Sequence, residues 1–384
     1  MRNLINKKKL NIIGLNSGTS ADSLDLALVR MGEKSAPQFI EGKTVRLPEK
    51  LKEKIFKLAD SNDFQLEEYI YLDNYLGHFI GKAAAKYITD LKSRNKTVDL
   101  IGSHGQTIRH LPQKLKYLDR NINGTLQIGS PEFIAAQTGK VVVADFRQAD
   151  IALGNEGAPI TSNALRYLIN DNKNSYLIVN IGGMSNYFLF SKDKKQPIRS
   201  ADCGPGNVLC DLLAQKLFAK PYDKNGSFAR KGNVSKRLLS ILMADPFFKG
   251  KTRSTGREAF GLKLAEKIIS FKNQLKLTNY DLLATAAELT IWSINRTINP
   301  LIEQNKEIKK LYLTGGGRKN IFLKNGLKQS PLDIGLIDDL GIDGDYTEAA
   351  CYAILGGASL WSQNLEVSSD KKRPLLGKII QPPK

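Results

Sequence analysis

Four apolar, strand-like segments of this chain each run into a turn of glycine and small polar residues. Gly18, Gly102, Gly182 and Gly315 mark these turns, and segments with helical spacing of apolar residues lie between them. Strands that alternate with helices predict an α/β fold. In such folds ligands bind at the carboxyl ends of the strands, so the four turns predict where the functional residues lie.

The length of the chain predicts two lobes. Its 384 residues exceed what one hydrophobic core comfortably serves. The polar segment INDNKNS, residues 169–175, interrupts the apolar pattern and predicts a boundary. We expect a first lobe over 1–170, a second lobe over 171–345, and a C-terminal helix and tail over 346–384 that packs back on the first lobe. The last residues, KIIQPPK, are expected to fray.

The chain carries a large positive charge. Lysine and arginine number 57 against 38 acidic residues, which gives a formal net charge of +19. The basic residues are spread along the chain, without zinc-finger spacing or an aromatic-studded basic stripe. A non-catalytic basic module that binds nucleic acid therefore stays an alternative that rests on charge alone.

Nothing in the sequence indicates export or membrane insertion. No apolar run approaches the roughly 20 residues of a membrane-spanning helix, and the basic N-terminus lacks the apolar run of a secretory signal. Cys203, Cys210 and Cys351 are widely placed and have no metal-ligand spacing. We expect reduced thiols and a cytoplasmic location.

The first glycine turn has two interpretations. In SGTSADSLD, residues 17–25, small residues and carboxylates join two strand-like segments. Such residues are typical of a hairpin bend. They also suit a loop whose amides and hydroxyls bind phosphate and whose carboxylate meets the metal. The stretch alone leaves both interpretations open.

Two segments place side chains with catalytic chemistry after strands. In ADFRQAD, Asp145 follows the apolar run 141–143, where a partly desolvated carboxylate can act as a general base, and Asp150 lies five residues further on. His104 lies between glycines in GSHGQT. A helix cap, a salt bridge or a hydrogen-bonded turn would explain these residues without chemistry.

Two other segments suit anion recognition. SADCGPGNVLCDLL sets Asp202 and Asn207 around a turn before a helix, whose N-terminal amides suit an anion or a sugar hydroxyl. Taken alone, the stretch is explained equally by a Gly-Pro turn that starts a helix. KTRSTGREAFG, residues 251–261, carries arginines and hydroxyls that bind phosphate or carboxylate in other proteins. The sequence has no P-loop or dinucleotide fingerprint, so the use of ATP would require paired strand–turn–strand phosphate loops.

Eleven motifs follow one another along the chain in a recognisable order. They are SGTSADSLD, GSHGQT, TLQIGSPEFIAAQTG, VVADFRQADIALGNEGAP, NIGGMSN, DCGPGN, PYDKNG, STGRE, ATAAELT, LTGGGRKN and GDYTEA. Together they resemble the anhydro-N-acetylmuramic acid kinase family over about residues 11–360. The resemblance implies two actin-like (ribonuclease H-like) lobes with ATP and sugar in the cleft between them. It also implies cleavage of the sugar's 1,6-anhydro bond coupled to phosphorylation, a step of peptidoglycan recycling that yields N-acetylmuramic acid 6-phosphate and ADP.

The resemblance implies roles for the glycine turns. It makes the second lobe the nucleotide side, with ATP and Mg²⁺ as cofactors. The first phosphate turn would consist of Gly18, Thr19, Ser20, Ala21, Asp22, Ser23, Leu24 and Asp25, the second of Gly182 and Gly183, and the adenosine-side turn of Gly315, Gly316 and Gly317. Within the first turn, Asp22 would be the carboxylate nearest the metal.

The resemblance also implies a sugar side. Asp145 would take a proton from the attacking water, and Asp150 is the second candidate for that role. Substrate contacts are expected from His104, Gln106, Arg147, Glu156, Asp202, Asn207 and Glu348. The partners implied are the anhydro sugar, ATP and a second copy of the chain in a homodimer, without membrane or specific nucleic acid.

Several positions depart from the family pattern. Ala21 and Ser23 stand where the family has SGTSLDG, so either Ser23 has φ below zero or the turn is strained. Gln148 and Ala149 replace two arginines of DFRRRD, and Glu156 adds a carboxylate in GNEGAP. Because these changes remove positive charge near the expected substrate carboxylate, a kinase of another anhydro sugar is the alternative.

Overall fold

The structure, a computed structural model, divides the chain into two compact units. It describes residues 2–18, 20–33, 35–61, 65–171, 173–193, 196–249, 260–328, 332–363, 365 and 375–383. Unit 1 comprises Met1–Asn170 and Gly341–Lys384, and unit 2 comprises Asp171–Leu340.

Strands and helices alternate along both units. The strands are β1 (Lys9–Ser17), β2 (Ser23–Gly32), β3 (Ser35–Arg46), β4 (Leu100–Ser103), β5 (Gln106–Tyr117), β6 (Arg120–Ile128), β7 (Val141–Ala144), β8 (Ser175–Ile181), β9 (Met184–Phe190), β10 (Arg199–Pro205), β11 (Ile308–Thr314), β12 (Asp333–Leu336) and β13 (Lys378–Ile380). The helices are α1 (Arg2–Ile5), α2 (Glu49–Asp60), α3 (Leu66–Ser93), α4 (Pro131–Thr138), α5 (Gln148–Ala152), α6 (Ser162–Ile169), α7 (Val208–Phe218), α8 (Lys236–Met243), α9 (Pro246–Lys249), α10 (Leu262–Gln274), α11 (Asn279–Gln304), α12 (Ile321–Leu327) and α13 (Thr347–Leu360). Short 3₁₀ turns cover Lys224–Gly226, Ala229–Lys231, Gly316–Lys319 and Ile337–Leu340.

The main sheet of unit 1 has the strand order β3-β2-β1-β4-β7-β13. Strands β1, β2 and β3 form an antiparallel meander in which Ser17 pairs with Leu24. Strands β4 and β7 continue parallel to β1. Strands β5 and β6 form a separate hairpin.

The sheet of unit 2 repeats this design. Its strand order is β10-β9-β8-β11-β12, with β8, β9 and β10 antiparallel and with β11 and β12 parallel to β8. Each unit thus has an antiparallel meander followed by parallel strands, the ribonuclease H-like strand order of actin-like proteins. The predicted α/β fold of two actin-like lobes is confirmed.

Unit 1 buries both faces of its sheet. Residues of both orientations along β2, such as Leu26 and Ala27, are fully buried. One face packs on α2, α3 and α4. On the other face, α13 lies so close to the sheet that a Cβ on Gly14 would come 1.7 Å from the Ala349 carbonyl oxygen. The apolar residues of Leu66–Ser93 recur at helical spacing, and this segment forms α3 with its buried residues facing this core.

Unit 2 builds its core around α11. This helix begins with a capping box between Thr278 and Asp281, which satisfies amide groups that the first turn leaves without partners. Its buried face, including Leu282 and Ala286, packs with the apolar side chains of β8 and β11. The core therefore supports the ends of these two strands, where the second and third glycine turns lie.

One local prediction was wrong. The C-terminal residues are not frayed, because β13 pairs antiparallel with β7, and Lys378 lies opposite Ala144. Ser130 occupies the N-cap position of α4, with proline at the first helical position, and its side chain donates to Glu132 Oε2 at 2.8 Å. Among the described residues, no helix is both long and apolar enough to cross a membrane.

Candidate active site

The first glycine turn of unit 1 joins β1 to β2. The Ala21 amide donates to the Gly18 carbonyl at 2.9 Å, and Ala21 is buried with a positive φ of 47°. Ser23 does not have a positive φ, and it pairs with Arg46 in the sheet. Among the described residues of this turn, the left-handed conformation therefore belongs to Ala21, and Ser23 fits its place without the glycine that the family has there.

The exposed side of this turn carries Asp22. Its carboxylate is 59% exposed and forms an ion pair with Lys52. A Cβ on Gly18 would meet no atom within 4 Å, so the backbone there borders open space. Thr19 lies outside the described residues.

Asp25 lies beyond the turn on β2, next to a second carboxylate. The Thr44 hydroxyl donates to Asp25 Oδ1 at 2.7 Å. The pKa of Asp25 is raised to about 6. Burial is the main cause and Glu348 adds to it, while the hydrogen bond from Thr44 opposes both. Glu348 lies at the start of α13, where Asn16 donates to its Oε2 at 2.9 Å. The side chain of Glu348 keeps a solvent-exposed edge, yet desolvation by the surrounding protein raises its pKa.

We predict that replacing Asp25 by Asn changes the pH dependence of folding. The pKa of Asp25 in the folded state, about 6, exceeds its ordinary value of 3.8, so its contribution to stability is full below pH 4 and is lost as pH rises through 6. The variant lacks this loss. The free energy of unfolding of Asp25→Asn minus that of the unmutated protein should rise by about 2 kcal/mol between pH 4 and pH 7, as measured by urea unfolding.

A control identifies Asp25 as the source of this effect. Asp119 lies in the β5–β6 hairpin with its side chain 84% exposed, and Asp119→Asn should give a difference independent of pH. A flat difference for Asp25→Asn as well would contradict the prediction.

His104 and Arg147 form a hydrogen-bonded pair after β4 and β7. Arg147 Nε donates to His104 Nε2 at 3.2 Å, so the ring carries its proton on Nδ1, which lies 3.2 Å from the Gly105 carbonyl oxygen. The ring stacks on Tyr352 with centroids 4.6 Å apart. Burial, together with the Arg147 charge, lowers the pKa of His104 well below its usual value. His104 is therefore a neutral support for Arg147 with both ring nitrogens occupied.

Gln106 connects two strands near this pair. Its Oε1 accepts a hydrogen bond from the Ser17 hydroxyl at 2.6 Å, and its side chain is buried. The end of β1 is thereby held next to the start of β5. This contact brings the first glycine turn and the GSHGQT motif into one region of unit 1.

Asp145 and Asp150 differ sharply in their surroundings. Asp145 directly follows β7 with a positive φ of 58°, and its carboxylate is 26% exposed. Asp150 is buried, and its two oxygens accept hydrogen bonds from Asn155 Nδ2 at 3.0 Å and from the Gly157 amide at 2.8 Å. Asp150 thus holds a loop closed, whereas the Asp145 carboxylate keeps part of its surface exposed at the end of β7.

The loop held by Asp150 carries further predicted residues. Arg147 Nη1 donates to the Gly157 carbonyl at 3.0 Å, so the loop also orients the guanidinium. Glu156 lies in this loop and is exposed. Gln148 Nε2 donates to the Thr125 carbonyl at 3.1 Å, so its amide is tied to β6.

The second glycine turn, in unit 2, is held by the GPGN motif. The amides of Asn207 and of Gly206 donate to the carbonyls of Gly182 and Gly183, at 2.8 Å and 2.9 Å respectively. Asn207 Nδ2 donates to the Ile181 carbonyl at 3.1 Å. The neighbouring turn thus accepts the hydrogen bonds of these amides, as the interpretation of GPGN as a Gly-Pro turn at a helix start predicts. Asp202 lies half-buried on β10 of the same sheet.

The third glycine turn packs against the end of β8. Gly315 has a φ of 76°, and a Cβ on it would lie 2.4 Å from Asn180 Oδ1. A Cβ on Gly317 would lie 2.3 Å from the Ile181 side chain. Gly316 is nearer to solvent, with only Asn207 Nδ2 close, at 3.7 Å from its built Cβ. The second and third turns thus meet at the ends of the adjacent parallel strands β8 and β11.

Several residues at these places escaped the sequence analysis. Arg318 is buried and binds Asp338 through two hydrogen bonds of 2.7 Å and 3.0 Å, which fixes the third turn. Unit 2 also contains a cavity of about 280 Å³ lined by Arg230, Glu288, Ile291, Phe322, Asn325 and Gly326. Tyr352 and Lys378 join the unit 1 region from the C-terminal part of the chain, and no local motif marks them. Residues 251–259, most of the KTRSTGREAFG segment, lie outside the described residues.

Comparisons with known proteins agree over nearly the whole chain. A family model described as anhydro-N-acetylmuramic acid kinase matches residues 10–381. A relative of that name from Caldanaerobacter subterraneus subsp. tengcongensis is 33% identical over 388 residues, which cover 98% of each chain. One from Coxiella burnetii (strain Dugway 5J108-111) is 36% identical over 381 residues, with 97% of each chain covered. One from Bacillus thuringiensis subsp. konkukian is 34% identical, with 97% of this chain and 99% of the relative covered.

Solved structures with much lower identity are also similar to this chain. An activator of the 2-hydroxyisocaproyl-CoA dehydratase from Clostridium difficile with bound ADPNP has a TM-score of 0.44 and 10% identity, covering 94% of this chain and 100% of that chain. A ROK family glucokinase from Streptomyces griseus in complex with glucose and AMPPNP has a TM-score of 0.39 and 9% identity, covering 90% of this chain and 99% of that chain.

Proposed function

Since the chain belongs to the anhydro-N-acetylmuramic acid kinase family, we propose that it is an ATP-dependent kinase of anhydro-N-acetylmuramic acid. The products are N-acetylmuramic acid 6-phosphate and ADP. The observation that carries the proposal is the family match over residues 10–381. The geometry around Asp145 and around the glycine turns supports it.

The chemistry assigned to unit 1 is the opening of the anhydro ring. Water attacks the anomeric carbon, the bond from that carbon to the bridging oxygen breaks, and the bridging oxygen takes the γ-phosphoryl group of ATP. Asp145 accepts the proton of the water. Asp145 suits this task because its carboxylate is partly exposed at the end of β7. Asp150 is a poorer base, since both of its oxygens already accept hydrogen bonds within its loop.

Arg147 is the cation assigned to the sugar's carboxylate. Its guanidinium is oriented from two sides, by His104 Nε2 and by the Gly157 carbonyl. A guanidinium that is already fixed loses less conformational entropy on binding a carboxylate than a mobile guanidinium does. Glu348 and Gln106 are assigned to the sugar's polar groups. Glu156 lies on the same loop as Gly157, where its negative charge would repel a second anionic group of a ligand.

The glycine turns of unit 2 are assigned to the nucleotide. Gly182 and Gly183 would contact the phosphates of ATP. Gly315 to Gly317 would contact its adenosine. Glycine allows backbone to approach a ligand closely, because no Cβ intervenes. The cavity lined by Phe322 and Asn325 offers an apolar wall together with polar groups, a combination that suits a purine base.

Magnesium is assigned to the first turn together with the phosphates. In kinase sites Mg²⁺ is held by one or two carboxylates, and phosphate oxygens and water complete its coordination. Asp22 fits this donor set, because its carboxylate is 59% exposed although it forms an ion pair with Lys52. The described residues contain no group of three or more metal-ligating side chains. When bound, the ion would neutralise charge on the transferred phosphoryl group.

We predict that the purified protein converts anhydro-N-acetylmuramic acid, ATP and MgCl₂ to equal amounts of ADP and sugar phosphate, as followed by mass spectrometry. In H₂¹⁸O the phosphoryl group should contain no ¹⁸O, since it goes to the sugar oxygen and not to water. Without ATP the anhydro ring should stay intact. No sugar phosphate at high enzyme concentration would refute the proposal.

A substrate panel and a mass measurement complete the test. An anhydrohexose without the lactyl carboxylate should react with a much larger KM, because Arg147 then has no partner. Equal efficiency would assign the protein to another anhydro sugar. The proposal includes a cytoplasmic homodimer, and light scattering at micromolar concentration should give twice the mass of 42.6 kDa.

A further inference from the structure

The C-terminal strand β13 is fixed against β7 by a glycine. Gly377, directly before β13, has a φ of 99°, and a Cβ there would lie 2.7 Å from Val143 Cγ1 and 3.0 Å from the Phe146 ring. Any other residue at this position would be strained in its backbone and would collide with two buried side chains. The close approach sets the register, in which Lys378 lies opposite Ala144 and Ile379 opposite Val143.

This register brings Lys378 to the end of β7. Lys378 Nζ lies 2.5 Å from Asp145 Oδ2, one residue beyond the paired Ala144. Within the part of the chain that the structure describes, Lys378 is the one residue that forms an ion pair or hydrogen bond with the Asp145 carboxylate. The side chain of Lys378 is 72% exposed, so its ammonium reaches the carboxylate from the solvent side.

We propose that Lys378 is a positioning residue for Asp145, and that the C-terminal strand is thereby part of the active site. This role rests on the proposed function, in which Asp145 accepts the proton of the attacking water. An ammonium on Oδ2 restricts rotation of the carboxylate and directs Oδ1 to the water.

The effect of this pair belongs to catalysis more than to folding. An exposed ion pair in water contributes little to stability, because solvent screens it. Once substrate excludes water from the site, the same pair interacts more strongly. Loss of the ammonium should therefore lower kcat and leave folding and nucleotide binding unchanged. Loss of a precise orientation of a catalytic group by about 1 Å costs up to 10²-fold in rate.

The test compares kcat and KM of Lys378→Ala and Lys378→Arg with those of the unmutated protein. We expect Lys378→Ala to lose roughly tenfold in kcat with the KM for ATP unchanged, and Lys378→Arg to recover most of the loss. Lys7→Ala is the matched control, because Lys7 also forms an exposed ion pair with an aspartate of unit 1, at 2.7 Å from Asp99. Its kcat should equal that of the unmutated protein.

The outcomes separate this role from its alternatives. A kcat of Lys378→Ala within twofold of the unmutated value would overturn the proposal, and so would an arginine variant as slow as the alanine variant. A rise in KM at constant kcat would show that Lys378 binds substrate instead, which also overturns it. Lys378→Gln keeps a polar side chain without the charge, so a tenfold loss there at an unchanged thermal midpoint supports the positioning role without disturbing the strand. Absence of turnover in the unmutated protein would refute the proposed function itself, and this role with it.

Discussion

Replacing Asp145 by Asn is expected to lower kcat by about 10²- to 10⁴-fold, the range that a general base contributes. The amide has the shape of the carboxylate but cannot take the proton of the attacking water. The fold should tolerate the change, since Asp145 has a φ of 58° and Asn adopts the left-handed region as readily as Asp. The lost ion pair with Lys378 is exposed and costs at most about 1 kcal/mol of stability.

Nucleotide binding separates loss of chemistry from loss of structure. Calorimetry should give an ATP affinity for Asp145→Asn within twofold of the unmutated value, because the proposed function assigns Asp145 to the sugar and the glycine turns to ATP. Retention of more than a few per cent of the rate would move the base role to Asp150. The structure makes that outcome unexpected, since Asp150 accepts two hydrogen bonds within its own loop.

Replacing Gly14 by Ala is expected to lower the free energy of unfolding by about 3 kcal/mol or more, the upper range for overpacking a core. The added Cβ would lie 1.7 Å from the Ala349 carbonyl oxygen and 2.7 Å from the Ala353 amide. These are backbone atoms of α13, which cannot rotate away as a flexible side chain would. The whole helix would have to move off the sheet.

The same displacement should reduce activity, because α13 carries Glu348 and Tyr352. Thermal unfolding should show a fall of roughly 6–12 °C in the midpoint. Gly124→Ala is the matched control in unit 1, since a Cβ there would meet no atom within 4 Å, and its midpoint should stay within about 2 °C. Equal midpoints for Gly14→Ala and Gly124→Ala would contradict the packing argument.

The elements around the candidate site were predictable where the signal is local. Helix α3 follows from apolar residues at three- and four-residue spacing. Strands β4, β8 and β11 follow from short apolar runs that meet glycine, and β7 follows from the apolar run before Asp145. The wrong prediction at the C-terminus has a physical cause. The three residues of β13 are too few to indicate a strand by themselves, and their pairing depends on β7, which lies far away in the sequence. GPGN likewise suits either an anion site or a plain turn, and the turn after β8 decided between them by accepting the hydrogen bonds of the Gly206 and Asn207 amides.

The sequence by itself determined the chemistry that this chain can perform. It supplied the strand–turn–strand repeats, the carboxylate after β7 and the order of motifs that identifies the family, because propensity, turn preference and motif spacing act over a few neighbouring residues. The tertiary structure alone decided which of these groups form hydrogen bonds or ion pairs with other parts of the protein. Sheet register placed Lys378 on Asp145, loop closure occupied Asp150, and helix packing set His104 between Tyr352 and Arg147. Such contacts join segments far apart in sequence, and their geometry follows from how the strands pair and how closely α13 packs on glycine.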